Sequence, residues 1–464
     1  MKIAVVADDL TGANVNGALL AAKGFSSATC LECSPASLRN FAHCAAVAYS
    51  TDSRLLPAAR AWDKVFAAIE VFRTCTPALL AKRIDSTLRG NVGAEIDAAL
   101  SAMDAAKIPD EPDAVAVVVA AYPASGRILR DGCLMVHGVP LEKSPFAADP
   151  ATPVVSSSAS GIIAEQTKRR IGHISLSQIR AGENAVRGKA LALQQAGKSI
   201  LVCDAATDED IQGIAGAFAD APFPILAVDP GPFTAELAAR RISPEAGTNV
   251  IGSSQRNTTH SKGRVLAVIG SVSELARSQM EILRGTHPAC IVRLDWRKLF
   301  NASSRQTEIS RVIRLLAATP MDCGILGVCM AEKEEDVFSH ADLAARMGLC
   351  AEDISGSINS ALAEIARKIL EIPELAVQSV FSSGGEVTVS VMRALGGQGF
   401  TIEEEVLPLA VFGRLAGGEY SGLPWITKGG FVGDAHSLVL CMERLFARMS
   451  TIPGQMMTTV NVTG

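Results

Sequence analysis

The chain has 464 residues, 48% of them hydrophobic and 20% charged, with a formal net charge of −5. That length is more than one ordinary core serves and implies two domains or three. The acidic balance, without a Lys/Arg stripe, argues against a nucleic-acid partner, and no apolar run reaches membrane-spanning length.

The first predicted element is a buried strand over Lys2–Ala7, entered with no basic or signal-like leader, so a cytoplasmic location is expected. Asp8-Asp9-Leu10-Thr11-Gly12-Ala13-Asn14 follows it, and then a helix over Val15–Lys23 with Asn14 or Thr11 as candidate cap. Strands are predicted at Ser26–Glu32, Ala45–Ser50, Ala78–Ile84 and Ala114–Ala121, with helices at Pro57–Val71 and Val92–Met103. This alternation predicts an α/β fold, a mostly parallel sheet flanked by helices. Arg127–Leu141, rich in turn residues, reads as a hairpin excursion, and Ser199–Val202 and Pro224–Val228 extend the sheet. Pro244–Gly263 is polar and aperiodic, a linker. A second α/β domain begins with the strand Arg264–Gly270 and the helix Ser273–Leu283. Further strands are expected at Cys290–Leu294, Gly324–Cys329 and Val377–Ser382, and helices at Ile358–Leu370 and Ala435–Met449. The expected division is 1–243, a linker at 244–263, 264–450 and a tail at 451–464. The tail is a loose end or an exchanged arm, which makes a homodimer a candidate.

Polar clusters fall where the first domain's strands end. Asp8 and Asp9 end the first strand, Thr51-Asp52-Ser53-Arg54 the third, the run Lys82 to Gly90 the fourth, and Tyr122 to Arg127 the fifth. Open α/β sheets bind ligands at that edge. Paired carboxylates there could handle hydroxyl protons, and Arg or Lys could grip an anion. The second half has glycine turns between strand and helix: Gly270-Ser271, Ser383-Gly384-Gly385-Glu386-Val387 and Lys428-Gly429-Gly430. Such turns let backbone N–H groups approach phosphate oxygens. Neither a P-loop nor a dinucleotide fingerprint is present. Cys30 and Cys33 form a lone CxxC, weighted toward buried hydrophobes rather than a metal site, and no metal-ligand motif stands elsewhere.

The strings ADDLTGAN, KRIDSTLRGNVGAEID, SGGEVT and TKGGFVGD, in this order, resemble the four-carbon acid sugar kinases. The resemblance covers Met1 to about Arg444. It implies an acid-sugar-binding N-terminal domain, a nucleotide-binding C-terminal domain, and ATP with Mg²⁺. By resemblance, Asp8, Asp9, Arg54, Lys82, Asp85 and Arg89 belong to the sugar-acid side. Ser53 and Arg127, in the same strand-end clusters, join the substrate candidates. Ser271 with Gly270, the run Gly384, Gly385, Glu386 and Val387, and Gly430 belong to ATP, with Lys428 as a charge partner. The implied reaction is phosphorylation of a terminal hydroxyl, D-threonate or D-erythronate favoured over 3-oxo-tetronate, with Asp9 as base and Asp85 next. Asp8 would act through Mg²⁺ or Lys82. Two departures stand out: Val15-Asn16, where the family usually has Asp and a small hydroxyl residue, and Pro230-Gly231-Pro232-Phe233, in place of a Gly-Ser-Ala-Gly-like turn. The first keeps a non-catalytic sugar-acid sensor as the alternative. A dehalogenase-like phosphatase ranks low, since Leu10 stands where its second acid belongs.

Overall fold

In the computed structural model of the chain, the first strand, β1 (Ile3–Ala7), sends Ala4 and Val6 into one buried cluster and Ile3, Val5 and Ala7 into another. A pleated strand alternates faces, so both faces of this sheet are covered. On one side lie Val65, Ile69 and Phe72 of the helix Ala58–Arg73 and Ile96 and Leu100 of the helix Val92–Asp104. On the other lie Leu20 of the helix Leu10–Ala22, Ile214 and Phe218 of Asp208–Ala219, and Phe233 and Leu237 of Pro232–Arg241. Residues 1–105, 107, 111–148, 153–244, 263–337, 343–344 and 347–450 are described; the proposed linker and tail fall almost wholly outside them.

The chain divides into two units, Met1–Ser253 with Leu395–Gly422, and Ser254–Ala394 with Leu423–Gly464. In the first, β1 is joined by β2 (Ser27–Cys30), β3 (Ala46–Ser50), β4 (Leu79–Arg83) and β5 (Val115–Val118). An antiparallel excursion follows, β6 (Arg127–Arg130), β7 (Cys133–Val136) and β8 (Val139–Pro140), where the sequence predicts a hairpin. Then come β9 (Ile171–Ile174), β10 (Ile200–Cys203) and β11 (Ile225–Asp229). The parallel order is β2-β3-β1-β4-β11-β5-β10-β9. The chain runs from β1 to one side through β2 and β3, then to the other side with β4. That reversal makes the C-terminal end of β1 a topological switch point, where open α/β sheets form their crevice.

The second unit has β12 (Arg264–Ile269), β13 (Ala289–Arg293), β14 (Ile325–Cys329) and β15 (Val377–Ser383). The chain then contributes β16 (Gly399–Leu407) and β17 (Ala410–Ala416) to the first unit, β16 pairing antiparallel with β2, before β18 (Pro424–Lys428) completes the second sheet. That parallel sheet has the order β13-β14-β12-β15-β18. The hairpin differs from the contiguous ranges read from the sequence, which place 395–422 with the second domain. Strand partners are set by tertiary pairing, which chain position does not encode.

The helix expected from Val15 begins at Leu10, and its cap is Asp9, whose side chain accepts a hydrogen bond from Gly12 N–H at 2.7 Å. Thr11 and Asn14 lie inside it. An Asp in extended conformation directly before a helix satisfies an otherwise orphaned donor, so the helix starts at the carboxylates. No helix among the described residues is long and apolar enough to cross a membrane.

Candidate functional site

The β1–β3 ladder continues past both strands. Thr51 N–H donates to Ala7 O at 2.9 Å and Ser53 N–H to Asp8 O at 3.1 Å, laying the Thr51–Arg54 loop beside the two acids. On the other side of β1, β4 ends in register with it, Ala7 opposite Arg83. Asp85 then folds its own loop: its carboxylate accepts from Thr87 N–H at 3.1 Å and its carbonyl from Leu88 N–H at 3.0 Å. Leu88 adopts φ 55°, a strained conformation for a bulky residue, and the turn returns Arg89 onto Asp85.

The result is an interleaved array of acids and guanidiniums. Arg54 reaches Asp8 through Nε at 2.7 Å, Asp9 through Nη1 at 2.9 Å and Asp85 through Nη2 at 3.5 Å. Arg83 Nη1 bridges Asp8 at 3.3 Å and Asp9 at 3.1 Å. Arg89 forks onto Asp85 with Nε at 2.9 Å and Nη2 at 3.0 Å. Burial alone would raise the Asp8 and Asp85 carboxyls. The surrounding cations outweigh it, Arg54 and Arg83 holding Asp8 low and Arg54 and Arg89 holding Asp85 well below the ordinary range. Burial opposes the charge on Arg54, yet Asp8, Asp9 and Asp85 together raise its pKa well above normal. Of the three acids Asp9 is the most accessible, its side chain 28% exposed against 4% for Asp8 and 6% for Asp85.

Lys82 and Ser53 turn inward. Lys82 Nζ is fully buried, 2.7 Å from Glu95 Oε2, and Ser53 Oγ donates to the other Glu95 oxygen at 2.5 Å. Burial raises the Glu95 pKa, an effect Lys82 only partly offsets. Sequence reasoning missed Arg83 and Glu95. Arg83 was in plain view beside Lys82, and alternation along β4 sends the two to opposite sides; which side faces the acids is a tertiary fact. Arg127 begins β6 and stacks on Phe146, its guanidinium carbon 5.5 Å from the ring centroid.

Of the departures, Val15 and Asn16 are both fully buried, and the Asn16 amide has no hydrogen-bond partner among the described residues. The Pro230–Phe233 turn is organised by Asp229, whose carboxylate accepts from the N–H groups of Gly231, Phe233 and Thr234 at 2.8, 2.7 and 3.2 Å.

In the second unit the three glycine turns follow three neighbouring parallel strands, β12, β15 and β18. Gly270 N–H donates to Ser383 O and Gly384 N–H to Lys428 O, both at 3.0 Å. Ser273 caps the helix Glu274–Thr286, and its Oγ also donates to Gly430 O at 2.9 Å, tying this helix start to the third turn. A Cβ on Gly430 would fall 2.5 Å from Ser271 Oγ, and Gly384 has φ 113°, so both positions need glycine. The bare backbone left at one edge suits phosphate oxygens. Val387 packs against the first turn, its Cγ2 2.3 Å from where a Gly270 Cβ would lie, and Gly385 and Glu386 open the helix Gly385–Ala394. Lys428 is 2% exposed, and its Nζ donates to Gly429 O at 3.0 Å and Val432 O at 3.2 Å; burial lowers its pKa to about 8. It braces the third turn from beneath.

Cys30 is buried and Cys33 half-buried, and burial raises both thiols, Cys33 to about 12. Among the described residues no group of three or more His, Cys, Asp or Glu could hold a metal ion.

One unit thus carries a crevice of acids and arginines and the other a glycine-lined edge. Two family descriptions match accordingly, a sugar-binding N-terminal domain over residues 3–237 and a nucleotide-binding C-terminal domain over 266–438. The chain belongs to the four-carbon acid sugar kinase family. It is 38% identical over 450 residues to a D-erythronate kinase from Heliobacterium modesticaldum, spanning 97% of this chain and 98% of that one. Identity to a D-threonate kinase from Salmonella typhimurium is 31% over 437 residues, 94% and 96% of the two chains. A solved structure from Salmonella typhimurium LT2 shares the fold, with a TM-score of 0.73 at 21% identity over 95% of this chain and 99% of that one.

Proposed function

We propose that this enzyme transfers the γ-phosphoryl group of ATP to the terminal hydroxyl of D-erythronate or D-threonate. The observation that carries the reading is the interleaved array of Asp8, Asp9 and Asp85 with Arg54, Arg83 and Arg89 at the switch point of the sugar-binding unit. Phosphoryl transfer asks for positioning and charge neutralisation more than for covalent chemistry. Asp9 is the base in this reading, because it alone of the three acids has substantial exposure. It orients the attacking hydroxyl and takes its proton late. Asp8 and Asp85 keep the arginines aligned, and Lys82 is a positioning residue that acts through Glu95. The turns at Gly270–Ser271, Gly384–Val387 and Gly430 hold the nucleotide phosphates, and Lys428 supports the last of them. With no metal-holding cluster among the described residues, Mg²⁺ would be carried by the ATP phosphates, where it would supply charge neutralisation.

Relatives named 3-oxo-tetronate kinase are 24% and 25% identical, so that substrate ranks behind the other two. The test is ADP release with ATP and Mg²⁺ across D- and L-erythronate, D- and L-threonate and the 3-oxo-tetronates. Turnover of D-erythronate or D-threonate is expected. Acid-sugar binding without ADP release would leave a sensor in place of a kinase.

A further inference from the structure

Two arginines of the first unit share one aromatic ring. Phe146, on the 3-10 turn Pro145–Ala148 that follows β8, has the guanidinium carbon of Arg89 at 5.4 Å and that of Arg127 at 5.5 Å from its centroid. They come from separate elements, Arg89 from the turn after β4 and Arg127 from the start of β6. A π face attracts a guanidinium by about 0.5–2 kcal/mol but leaves its charge intact. The ring therefore holds two like charges together without neutralising either.

The two differ in what else they touch. Arg89 is forked onto Asp85. Arg127 has no carboxylate partner among the described residues. Its Nη1 donates to Ser125 O and lies 3.5 Å from His137 Nε2, and its Nε is buried without a hydrogen-bond partner. Asp8, Asp9, Asp85 and Glu95 pair with Arg54, Lys82, Arg83 and Arg89, and none of these four acids pairs with Arg127. Burial lowers the Arg127 pKa, the distant pull of Asp85 opposing it and Arg89 adding to it. A half-buried guanidinium without an anion is costly, and one that gains a carboxylate acquires charge-assisted hydrogen bonds.

We infer that Phe146 fixes Arg89 and Arg127 as a clamp for the carboxylate of the acid sugar, and that this clamp selects acids over neutral polyols. The inference rests on the functional reading above and deepens it, placing the acid end of the substrate beneath the β6–β8 excursion and its terminal hydroxyl toward Asp9. Phe146 is a positioning residue here; Arg127 touches the substrate.

The test compares wild type with Phe146→Leu, Phe146→Trp and Arg127→Gln, using D-erythronate and its neutral counterpart erythritol. Phe146→Leu keeps apolar bulk and removes the π face; Phe146→Trp restores it. For D-erythronate, Phe146→Leu and Arg127→Gln should raise KM about tenfold, the loss of one charge-assisted contact. The KM for ATP should not move, kcat of Phe146→Leu should stay near wild type, and Phe146→Trp should recover the acid KM. Arg127→Gln should also narrow the preference for acid over polyol. Calorimetric binding of D-erythronate without ATP reads the clamp independently of turnover. Tight binding to wild type that weakens in both variants supports the clamp even where no ADP is released, a result that would remove only the kinase reading. Equal dissociation constants in all variants, or no binding to wild type, would overturn the clamp.

Discussion

At the residue scale, Asp9 serves two masters: it caps the helix Leu10–Ala22 and faces the crevice. Asn caps helices as well as Asp does, so Asp9→Asn should keep the helix start, and the lost charge that Arg54 and Arg83 share at this partly exposed carboxylate should lower the thermal midpoint only modestly. The same change removes the proposed base, and kcat should fall by about 10²–10⁴, the usual worth of a positioned general base. Steady-state kinetics beside a melting curve separates the two roles, and near-wild-type kcat would dismiss Asp9 as base. Lys82 is a different case, because its ammonium lies wholly inside the protein against Glu95. Lys82→Met strands that carboxylate and should cost about 3–5 kcal/mol, measured by urea unfolding at pH 7. The deficit should shrink at acid pH, where Glu95 takes up a proton. Asp8 and Asp85 carry the opposite dependence in the native protein. Their folded-state pKa values are depressed, so their contribution is complete above about pH 4, the unfolded value, and is lost as pH falls through the folded ones. Urea midpoints should accordingly drop steeply below about pH 4; a flat profile there would contradict the pairing.

At the scale of elements, each parallel sheet ends its central strands in loops that do not resemble each other. After β1, β3 and β4 the loops carry charged side chains; after β12, β15 and β18 they carry glycine. In the proposed function the charged side chains grip the acid sugar and the bare backbone receives the phosphates. Gly430→Ala puts a methyl 2.5 Å from Ser271 Oγ and 2.8 Å from its Cβ. The turn must then shift, and the KM for ATP should rise by about tenfold or more, the effect of a misplacement near 1 Å. Binding of the acid sugar by calorimetry should be unchanged. A loss of both affinities would show that the substitution unfolds more than the turn.

At the scale of the whole molecule, the first unit is discontinuous in sequence. β2 is paired on one side by β3 and on the other by β16, where Gly399 to Ile402 oppose Cys30 to Ser27. A fragment ending at residue 243 would leave the outer edge of β2 unpaired, an open template for aggregation. It should be insoluble or self-associating, whereas the same fragment with 395–422 appended through a flexible linker should be monomeric by size-exclusion chromatography. Equal behaviour of the two fragments would mean that the hairpin is dispensable.

The amino-acid sequence by itself determined the α/β class, the positions of most parallel strands, the two-domain family and the loops that hold Asp8, Asp9, Arg54, Asp85 and Arg89. Those features are local: buried β-branched runs, strand-end turns and short strings read without knowing what lies beside them. It did not reveal the β16–β17 hairpin as part of the first unit, the cap at Asp9, or the exchange of places between Lys82 and Arg83. Only the tertiary structure decided the hairpin and the exchange, because which face of β4 meets the Asp8 and Asp9 carboxylates, and which strand finds the edge of β2, depend on packing between segments tens to hundreds of residues apart.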